Sequence, residues 1–271
     1  MNFADEMELL GYVAIILAGI SLGLIGAGGG ILTVPILVYL FAVSPVLATA
    51  YSLFVVGFTS LVGVVPKYLS KNISFRTALI FGIPSMISVF LTRKYILPKI
   101  PQTVFEIGGF IVSKSLFLMV LFAVLMLFSA RSMLKKSNNS QNANTVISSF
   151  FVSLLGFAEG LITGLVGAGG GFIIIPILTL LAKLDIKKAI GTSLLIVAVK
   201  SLVGSLGDVV SGYLEFDWKF LIVITSLSIF GMFIGNALSK RIDGSKLKTG
   251  FGWFILVMGI YILVKELVFR G

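Results

Sequence analysis

The longest stretch of this sequence without a charged residue runs from Leu9 to Pro66. It is well over the roughly 20 apolar residues that one membrane crossing needs, so at least two membrane-embedded segments must lie within it. The rest of the chain agrees, because 58% of its 271 residues are hydrophobic and only 12% are charged, which is too apolar for a water-soluble domain. The sequence therefore predicts an all-α polytopic membrane protein, located in the cytoplasmic membrane.

Cysteine and histidine are both absent from the chain, which excludes disulfides, thiolate nucleophiles and Cys/His zinc sites. We therefore predict no metal site, no cofactor and no enzymatic activity. The formal net charge is +10, but the cations lie in short loops between spans, where they orient a protein in the bilayer. We expect no nucleic acid partner. The N-terminal residues are acidic, without the basic region of a cleaved signal peptide, so we expect them to be the mature start.

A polar linker divides the chain into two halves, and breaker residues mark boundaries between apolar segments. Ser44 and Pro45 split the first uncharged run, with Ser44 as the N-cap and Pro45 at the first helical position. The first membrane repeat covers residues 1–136, a polar linker covers residues 137–144, and the second repeat covers residues 145–271. Beyond Pro66 we expect apolar segments at about residues 77–92, 107–129, 146–182, 189–206, 220–239 and 249–264.

A glycine-rich motif occurs twice, as GLIGAGGGILTVP from Gly23 to Pro35 and as GLVGAGGGFIIIP from Gly164 to Pro176. Shifting the second half back by 141 positions (164 − 23) aligns it with the first half without a gap through the motif and the following span. The first-half residues with an identical partner are Gly23, Leu24, Gly26, Ala27, Gly28, Gly29, Gly30, Pro35, Ile36, Leu37, Ala48, Ser52, Leu53, Ser60, Leu61, Val62 and Gly63. This match indicates an internal duplication.

The glycine-broken segments determine how the two halves are oriented. Residues 28–43 as a helix would reach only about 24 Å, against a hydrocarbon core of about 30 Å, so we expect a re-entrant or hairpin segment. With three further spans, each half then crosses the membrane an odd number of times, which inverts the second half. Most loop cations then lie on one side, and the loop from Arg93 to Lys99 lies on the other. We therefore predict inverted repeats; single crossings would instead make the halves parallel.

The glycine motifs suit an anion site. Pro35 and Pro176 each fit the first turn of a short helix, which would leave the preceding glycines partly extended with unpaired amides that attract anions. The alternative is close helix packing, in which glycine lets two backbones touch and binds no ligand. The predicted substrate-binding glycines are Gly26, Gly28, Gly29, Gly30, Gly167, Gly169, Gly170 and Gly171.

Hydroxyl groups follow each motif in matching places. We predict that Thr49 and Ser52 in the first half, and Thr192 and Ser193 in the second, donate hydrogen bonds to a bound oxyanion. Ser60 is matched by Ser201. Each hydroxyl has an alternative role, a hydrogen bond to the backbone of its own helix.

Charged residues inside apolar segments are costly and therefore informative. Lys200 lies in the middle of a span, and we predict that it binds the anion, with snorkelling to the interface as the alternative. Glu159 lies in the same segment as the second motif and is the expected partner of Lys200 or a proton carrier. Lys114 is expected to snorkel from a span end, and Asp208 is expected at the end of a loop.

At these residues the sequence resembles the TauE/SafE sulfite exporter family, also called the 4-toluene sulfonate uptake permease family. The resemblance rests on the two glycine motifs and on AIGTSLLIVAVKSLVGSLG after the second, and it covers nearly the whole chain. It implies a secondary carrier of a small sulfur-containing anion, such as sulfite, a sulfonate or sulfoacetate. The first half departs at ATAYSLF, where Tyr51 stands in the place of Thr192.

The predicted function is a secondary transporter that moves a small anion across the membrane by alternating access. The sequence has no ATP-binding motif, so we expect coupling to protons or to the membrane potential. The alternatives are a non-transporting membrane subunit, which would not need duplicated helix breaks, and an intramembrane lipid-modifying enzyme. The enzyme is disfavoured because no span carries paired carboxylates, His or Cys.

Overall fold

The computed structural model is almost entirely helical and confirms the all-α membrane class. It describes residues 3–107, 110–134, 148–180, 182–239 and 244–268, and the predicted linker, residues 137–144, lies outside this part. Seven helices among the described residues are long and apolar enough to cross a membrane, so this is a multi-pass membrane protein. They are Glu6–Ile25, Pro45–Leu69, Phe75–Lys99, Lys114–Leu134, Ser149–Val166, Ile186–Ser211 and Trp218–Leu238.

In its described residues, the first half contains six α-helices and one small hairpin of strands. Helix α1 (Phe3–Ile25) leads through a 3-10 helix (Ala27–Leu32) into the short α2 (Thr33–Tyr39), and α3 (Pro45–Leu69) follows. Helix α4 (Phe75–Leu91) continues through a π-helical turn (Thr92–Ile96) into α5 (Leu97–Lys99). The antiparallel strands β1 (Thr103–Ile107) and β2 (Phe110–Ser113) precede α6 (Lys114–Leu134).

The second half repeats the same order of long and short helices. Its elements are α7 (Ser149–Val166), α8 (Gly171–Leu180), α9 (Ile186–Ser211), α10 (Trp218–Leu238) and α11 (Gly244–Val268). The offset that aligns the sequences also aligns the starts of α3 and α9 (186 − 45 = 141). As predicted, α3 begins at Pro45, although the Ser44 side chain makes no capping hydrogen bond.

Helix α1, the first motif and α2 form a hairpin whose two ends meet. Phe41, just after α2, contacts Tyr12 in the first half of α1 edge-on, with ring centroids 5.2 Å apart. Gly11 leaves room for this ring, because a Cβ there would lie 2.6 Å from Phe41 Cζ. The chain therefore runs in along α1 and returns along α2, although α1 by itself is long enough to cross a membrane.

The glycine stretches are more helical than the sequence predicted. We expected partly extended backbone up to Pro35 and Pro176, but the first stretch is a 3-10 helix from Ala27, and α8 begins at Gly171, before Pro176. The physical reason is that unpaired backbone groups are costly inside a membrane protein, and helical turns pair most of them.

Each half packs its long helices against long helices of the other half, an arrangement that we call exchanged packing. Helix α1 packs against α10 and α7 packs against α4, whereas the matched helices α3 and α9 pack against each other, as do α6 and α11. Close glycine contacts recur in both exchanged pairs: a Cβ on Gly19 would overlap the carbonyl oxygen of Ser228, and a Cβ on Gly160 would overlap that of Ser85. Gly160 is the repeat partner of Gly19 (160 − 19 = 141), so the duplicated halves use the same contact. Their inverted orientation in the membrane stays a prediction.

Helices α3 and α9, which we call the central helices, each accept a hydrogen bond from the N-cap residue of a helix in the opposite half. The backbone N–H of Asp217, the N-cap of α10, donates to the Tyr51 hydroxyl on α3 at 2.8 Å. The backbone N–H of Ser74, the N-cap of α4, donates to Thr192 Oγ1 on α9 at 2.9 Å. Tyr51 and Thr192 are repeat partners (192 − 51 = 141), so the departure in the first half preserves this contact.

Three details of the predicted span pattern are wrong. Residues 110–113 form strand β2, so α6 begins at Lys114; the aromatic and β-branched residues of FIVS favour a strand. Arg93 does not lie in a loop, because it is part of the π-helical turn and is fully buried. Asp208, expected at a loop end, lies within α9 and is also fully buried. Arg93 and Asp208 form an ion pair, which is the physical reason that both can leave water.

Candidate functional site

The two glycine motifs meet at the side chain of Val56 on α3. A Cβ on Gly30 would lie 2.9 Å from Val56 Cγ1 and 3.4 Å from the carbonyl oxygen of Ala168 in the second motif. A Cβ on Gly169 would lie 2.7 Å from the same Val56 atom. The other predicted glycines of the first half are Gly26, which precedes the 3-10 helix with φ +82°, and Gly28 and Gly29, which lie within it.

The second motif makes a sharp turn between α7 and α8. The φ angles of Gly167, Gly169 and Gly170 are +73°, +68° and +68°, in a region that favours glycine. Gly167 ends α7, and its N–H donates to the carbonyl oxygen of Thr163 at 2.8 Å. Gly171 begins α8, and the first N–H groups of a helix have no intrahelical partner. The turn therefore presents a helix start to the residues around it.

A buried ion pair lies beside this turn. Lys200 on α9 pairs with Glu159 on α7, and the two residues are 1% and 2% exposed. Thr163 donates to Glu159 Oε1 at 2.6 Å, and Ser85 on α4 donates to Oε2 at 2.8 Å. The Lys200 ammonium also donates to Thr163 Oγ1 at 3.2 Å. Buried charges need such pairing and hydrogen bonding, so Lys200 is held inside and does not snorkel.

Gly170 brings the backbone of the second motif against this ion pair. A Cβ on Gly170 would overlap Glu159 Oε1 and Thr163 Oγ1, and it would lie 2.8 Å from Lys200 Nζ. The structure thus joins three residues that the sequence singled out: Gly170, Lys200 and Glu159. We call Ser85, Glu159, Thr163, Gly170 and Lys200 the lysine cluster.

The matching position in the first half is polar but uncharged. Thr59 is the repeat partner of Lys200 (200 − 59 = 141), and its hydroxyl donates to Ser228 Oγ at 3.0 Å. Ala18 stands where the second half has Glu159 (159 − 18 = 141). The duplicated scaffold therefore carries an ion pair at only one of these two matched positions.

Three of the four predicted hydroxyls are already hydrogen-bonded within the protein. Thr49 Oγ1 donates to a carbonyl of its own helix at 2.7 Å, and Ser193 Oγ does the same at 2.9 Å, which is the alternative considered above. Thr192 accepts the hydrogen bond from the start of α4.

The fourth predicted hydroxyl, Ser52, is buried and has no hydrogen-bond partner among the described residues. The same is true of the repeat partners Ser60 on α3 and Ser201 on α9. Ser201 Oγ lies 3.6 Å from the Cβ position of Gly169. Donors that a ligand can use are thus present on both central helices, and Ser201 lies next to the second motif.

A second buried ion pair, which the sequence did not predict, lies near Gly167, where the turn begins. Arg93 Nη1 is 3.3 Å from Asp208 Oδ2 and 3.1 Å from Thr49 Oγ1, and both charged side chains are fully buried. Lys114 Nζ donates to the Leu97 carbonyl oxygen at 2.5 Å rather than reaching out to water.

Tyr213 completes this second group, because its hydroxyl donates to Asp208 Oδ1 at 3.5 Å and its ring centroid lies 5.6 Å from Lys114 Nζ. Burial, reinforced by the Asp208 carboxylate, raises the pKa of the Tyr213 hydroxyl, so Tyr213 stays protonated and acts as a donor. We call Thr49, Arg93, Lys114, Asp208 and Tyr213 the arginine cluster.

The sequence carried one signal for the arginine cluster. Asp208 follows Lys200 by eight residues and Gly204 by four, a spacing that places all three on one helix face. An acidic residue on the same face as a mid-span lysine indicates a buried position. Arg93 gave no such signal, because Lys94 and Lys99 follow it as in a basic loop.

A cavity of about 750 Å³ lies where α1 begins and α2 ends, and its described lining includes no residue of either cluster. Glu8, Tyr51 and Asp217 contribute to its described lining, which contains no cation. Two carboxylates repel anions, so this cavity is a poorer candidate for an anion site than the clusters around the second motif.

Comparison with known proteins gives a consistent result. Residues 12–262 match the family model described as Sulfite exporter TauE/SafE. Similar proteins include the probable membrane transporter protein YunE of Bacillus subtilis (strain 168), 25% identical over 97% of this chain and 99% of the relative. A probable membrane transporter protein of Xylella fastidiosa (strain 9a5c) is 27% identical over 92% of each chain. No solved structure matches this chain significantly.

Proposed function

Because this chain belongs to the TauE/SafE sulfite exporter family, it is a membrane transporter, and we propose that it carries a small anion as a secondary transporter in the cytoplasmic membrane. The observation that carries this proposal is the lysine cluster, in which a buried cation touches the turn of the second motif. The preference for a sulfur oxyanion or an organosulfonate comes from the family description. The cluster itself supplies a cation and hydrogen-bond donors, which suit oxyanions in general.

Charge balance in the lysine cluster suggests how the anion binds. Glu159 neutralises Lys200, so an incoming anion competes with this carboxylate for the ammonium group. Protonation of Glu159 removes the competitor, and the anion then binds Lys200 beside Gly170 and the start of α8, where the helix dipole also favours negative charge.

The empty and loaded clusters then have the same net charge. Without substrate, Lys200 and ionised Glu159 sum to zero; with a bound monoanion and protonated Glu159, the sum is again zero. Neutral states are the least costly to move through the low-dielectric interior of a membrane protein. This balance couples one proton to one monoanion and favours proton coupling over coupling to the membrane potential.

Burial of the cluster supports alternating access. Lys200 and Glu159 are almost fully enclosed by α4, α7 and α9, so an anion can reach them only after helices of the two halves move apart. The exchanged packing of α1 with α10 and of α7 with α4 supplies two similar contacts about which such a rocking motion can occur. We propose no enzymatic activity for this chain.

Flux in proteoliposomes tests the proposal. Purified protein should move radiolabelled sulfite and methanesulfonate into vesicles, and the double variant Lys200→Met/Glu159→Gln, which removes both buried charges together, should show background flux. Lys219→Met, at an exposed lysine, is the control and should transport normally. Equal flux by the double variant and the wild type would contradict the proposal, as would background flux of both anions by folded wild type.

A further inference from the structure

Arg93 offers hydrogen-bond donors that the protein leaves unused. A guanidinium group carries five N–H donors in one plane. Its Nη1 atom contacts Asp208 and Thr49, but Nε and Nη2 have no hydrogen-bond partner among the described residues. Because Arg93 is fully buried, these two nitrogens are enclosed by the protein.

The geometry of the unused donors suits one kind of ligand. Nε and Nη2 lie side by side on one edge of the guanidinium plane, and such an edge takes two oxygen atoms of the same oxyanion in two parallel hydrogen bonds. Leaving buried donors of a charged group unpaired carries a large desolvation cost. An oxyanion bound at this edge removes that cost.

The charge of the arginine cluster agrees with an anionic ligand. Arg93 and Lys114 bring two positive charges, and Asp208 brings one negative charge. Tyr213 stays protonated and adds none, so the cluster carries a net charge of +1 that one monoanion would balance. Asp208 occupies only the Nη1 side of Arg93, so it does not block the opposite edge.

The local backbone also departs from regular structure at this place. Arg93 lies in the π-helical turn between α4 and α5, and such turns are frequent at functional sites. Gly207 lets α9 approach closely, because a Cβ there would lie 3.2 Å from Arg93 Cβ. Gly167 lies against Thr49, with its Cβ position 2.5 Å from Thr49 Cβ. The arginine cluster therefore adjoins the turn of the second motif at Gly167, and the lysine cluster adjoins the same turn at Gly170.

We propose that the Nε/Nη2 edge of Arg93 is a second oxyanion-binding site, separate from the lysine cluster. Its ligand is a small oxyanion with two neighbouring oxygens, such as a sulfonate, sulfite or a carboxylate. This inference goes beyond the proposed function, since it assigns no transport step to Arg93 and requires no charge at Lys200.

Calorimetric titration of the full chain in detergent with methanesulfonate tests the site. The background is the Lys200→Met/Glu159→Gln variant, in which the lysine cluster has no ionised group. We expect this background to bind methanesulfonate, and addition of Arg93→Lys to weaken binding by at least about tenfold, because lysine keeps the charge opposite Asp208 but cannot form two parallel hydrogen bonds. Lys94→Gln, at the neighbouring lysine, should leave the affinity unchanged.

A second variant keeps the test informative if Arg93→Lys does not fold. Asp208→Asn preserves the free edge of Arg93 and removes a competing negative charge, so it should bind methanesulfonate more tightly than the background. No binding by the background, or an unchanged affinity in the Arg93→Lys or Asp208→Asn variant, would overturn the second site. Background flux by the folded wild type, together with Arg93-dependent methanesulfonate binding by the background variant, would instead contradict only the proposed function.

Discussion

Lys200 and Glu159 depend on each other inside the membrane. Breaking a buried ion pair by removing one partner costs about 3–5 kcal/mol, whereas replacing both partners with uncharged groups of similar volume is often neutral. The hydrogen bonds from Ser85 and Thr163 to Glu159 add to the difference, because they hold the carboxylate where no described cation other than Lys200 pairs with it. Comparing the stability of single and double variants therefore tests whether Lys200 and Glu159 depend on each other for burial.

We predict that Lys200→Met lowers the thermal unfolding temperature of the detergent-solubilised protein, since it leaves the Glu159 carboxylate buried without its cation. The double variant Lys200→Met/Glu159→Gln should recover most of the loss. Lys219→Met serves as the control and should unfold like the wild type, because Lys219 is exposed. If the double variant were as unstable as the single variant, the loss of stability would not come from an unpaired Glu159 carboxylate.

The contrast between the two clusters shows what sequence can reveal about a buried charge. Lys200 and Glu159 each stand inside an apolar run, so the cost of burial was evident and a partnership was predictable. Arg93 stands at the end of an apolar run with other cations after it, and its partner Asp208 lies 115 residues further along the chain (208 − 93). Only the packing of α4 and the π-helical turn against α9 brings them together, and no local sequence pattern indicates this packing.

At the scale of single elements, the break between α7 and α8 is the most specific feature of the fold. The sequence predicted that a break occurs at the second motif, because clustered glycines destabilise a helix. It did not predict where α8 begins, since the first-turn preference of Pro176 suggested a later start. Tertiary packing of the turn against the lysine cluster decides the boundary.

We predict that Gly170→Ala strongly impairs both folding and transport, because the new Cβ would overlap Glu159 and Thr163 in a backbone conformation with φ +68°. Gly212→Ala is a matched control: its φ is +65°, but no atom of the described residues lies within 4 Å of its Cβ position. That control should lose only the roughly 1–2 kcal/mol of left-handed backbone strain. Equal loss of thermal stability and flux in the two variants would show that the contact with the ion pair is unimportant.

At the scale of the whole molecule, the sequence predicted the duplication but not the packing of helices between the two halves. The 141-residue offset followed from identical residues, and the structure extends it to the starts of α3 and α9. Contacts such as those of Gly19 and Gly160 with the opposite half decide which helix of one half packs against which helix of the other. The apolar pattern of the sequence would be the same whether the helices packed within one half or between the two halves.

Single cysteines can locate the ends of the hairpins, since the chain has none of its own. We predict that Glu6→Cys and Ser44→Cys react with a membrane-impermeant reagent from the same face, because Tyr12 and Phe41 hold the two ends of the first hairpin together. Asp185→Cys, at the repeat partner of Ser44 (185 − 44 = 141), should react from the opposite face. Labelling of Ser44→Cys and Asp185→Cys from one face would establish parallel halves.

The most direct test of a proton-coupled anion carrier uses methanesulfonate, which stays ionised at all physiological pH values, so that a pH gradient can act only through the protein. Its uptake into proteoliposomes is measured with and without an acidic exterior. We predict that the gradient accelerates uptake by the wild type and has no effect on Glu159→Gln, which keeps hydrogen-bonding atoms but cannot exchange a proton. Equal acceleration in both proteins would contradict the role of the Lys200–Glu159 pair in coupling.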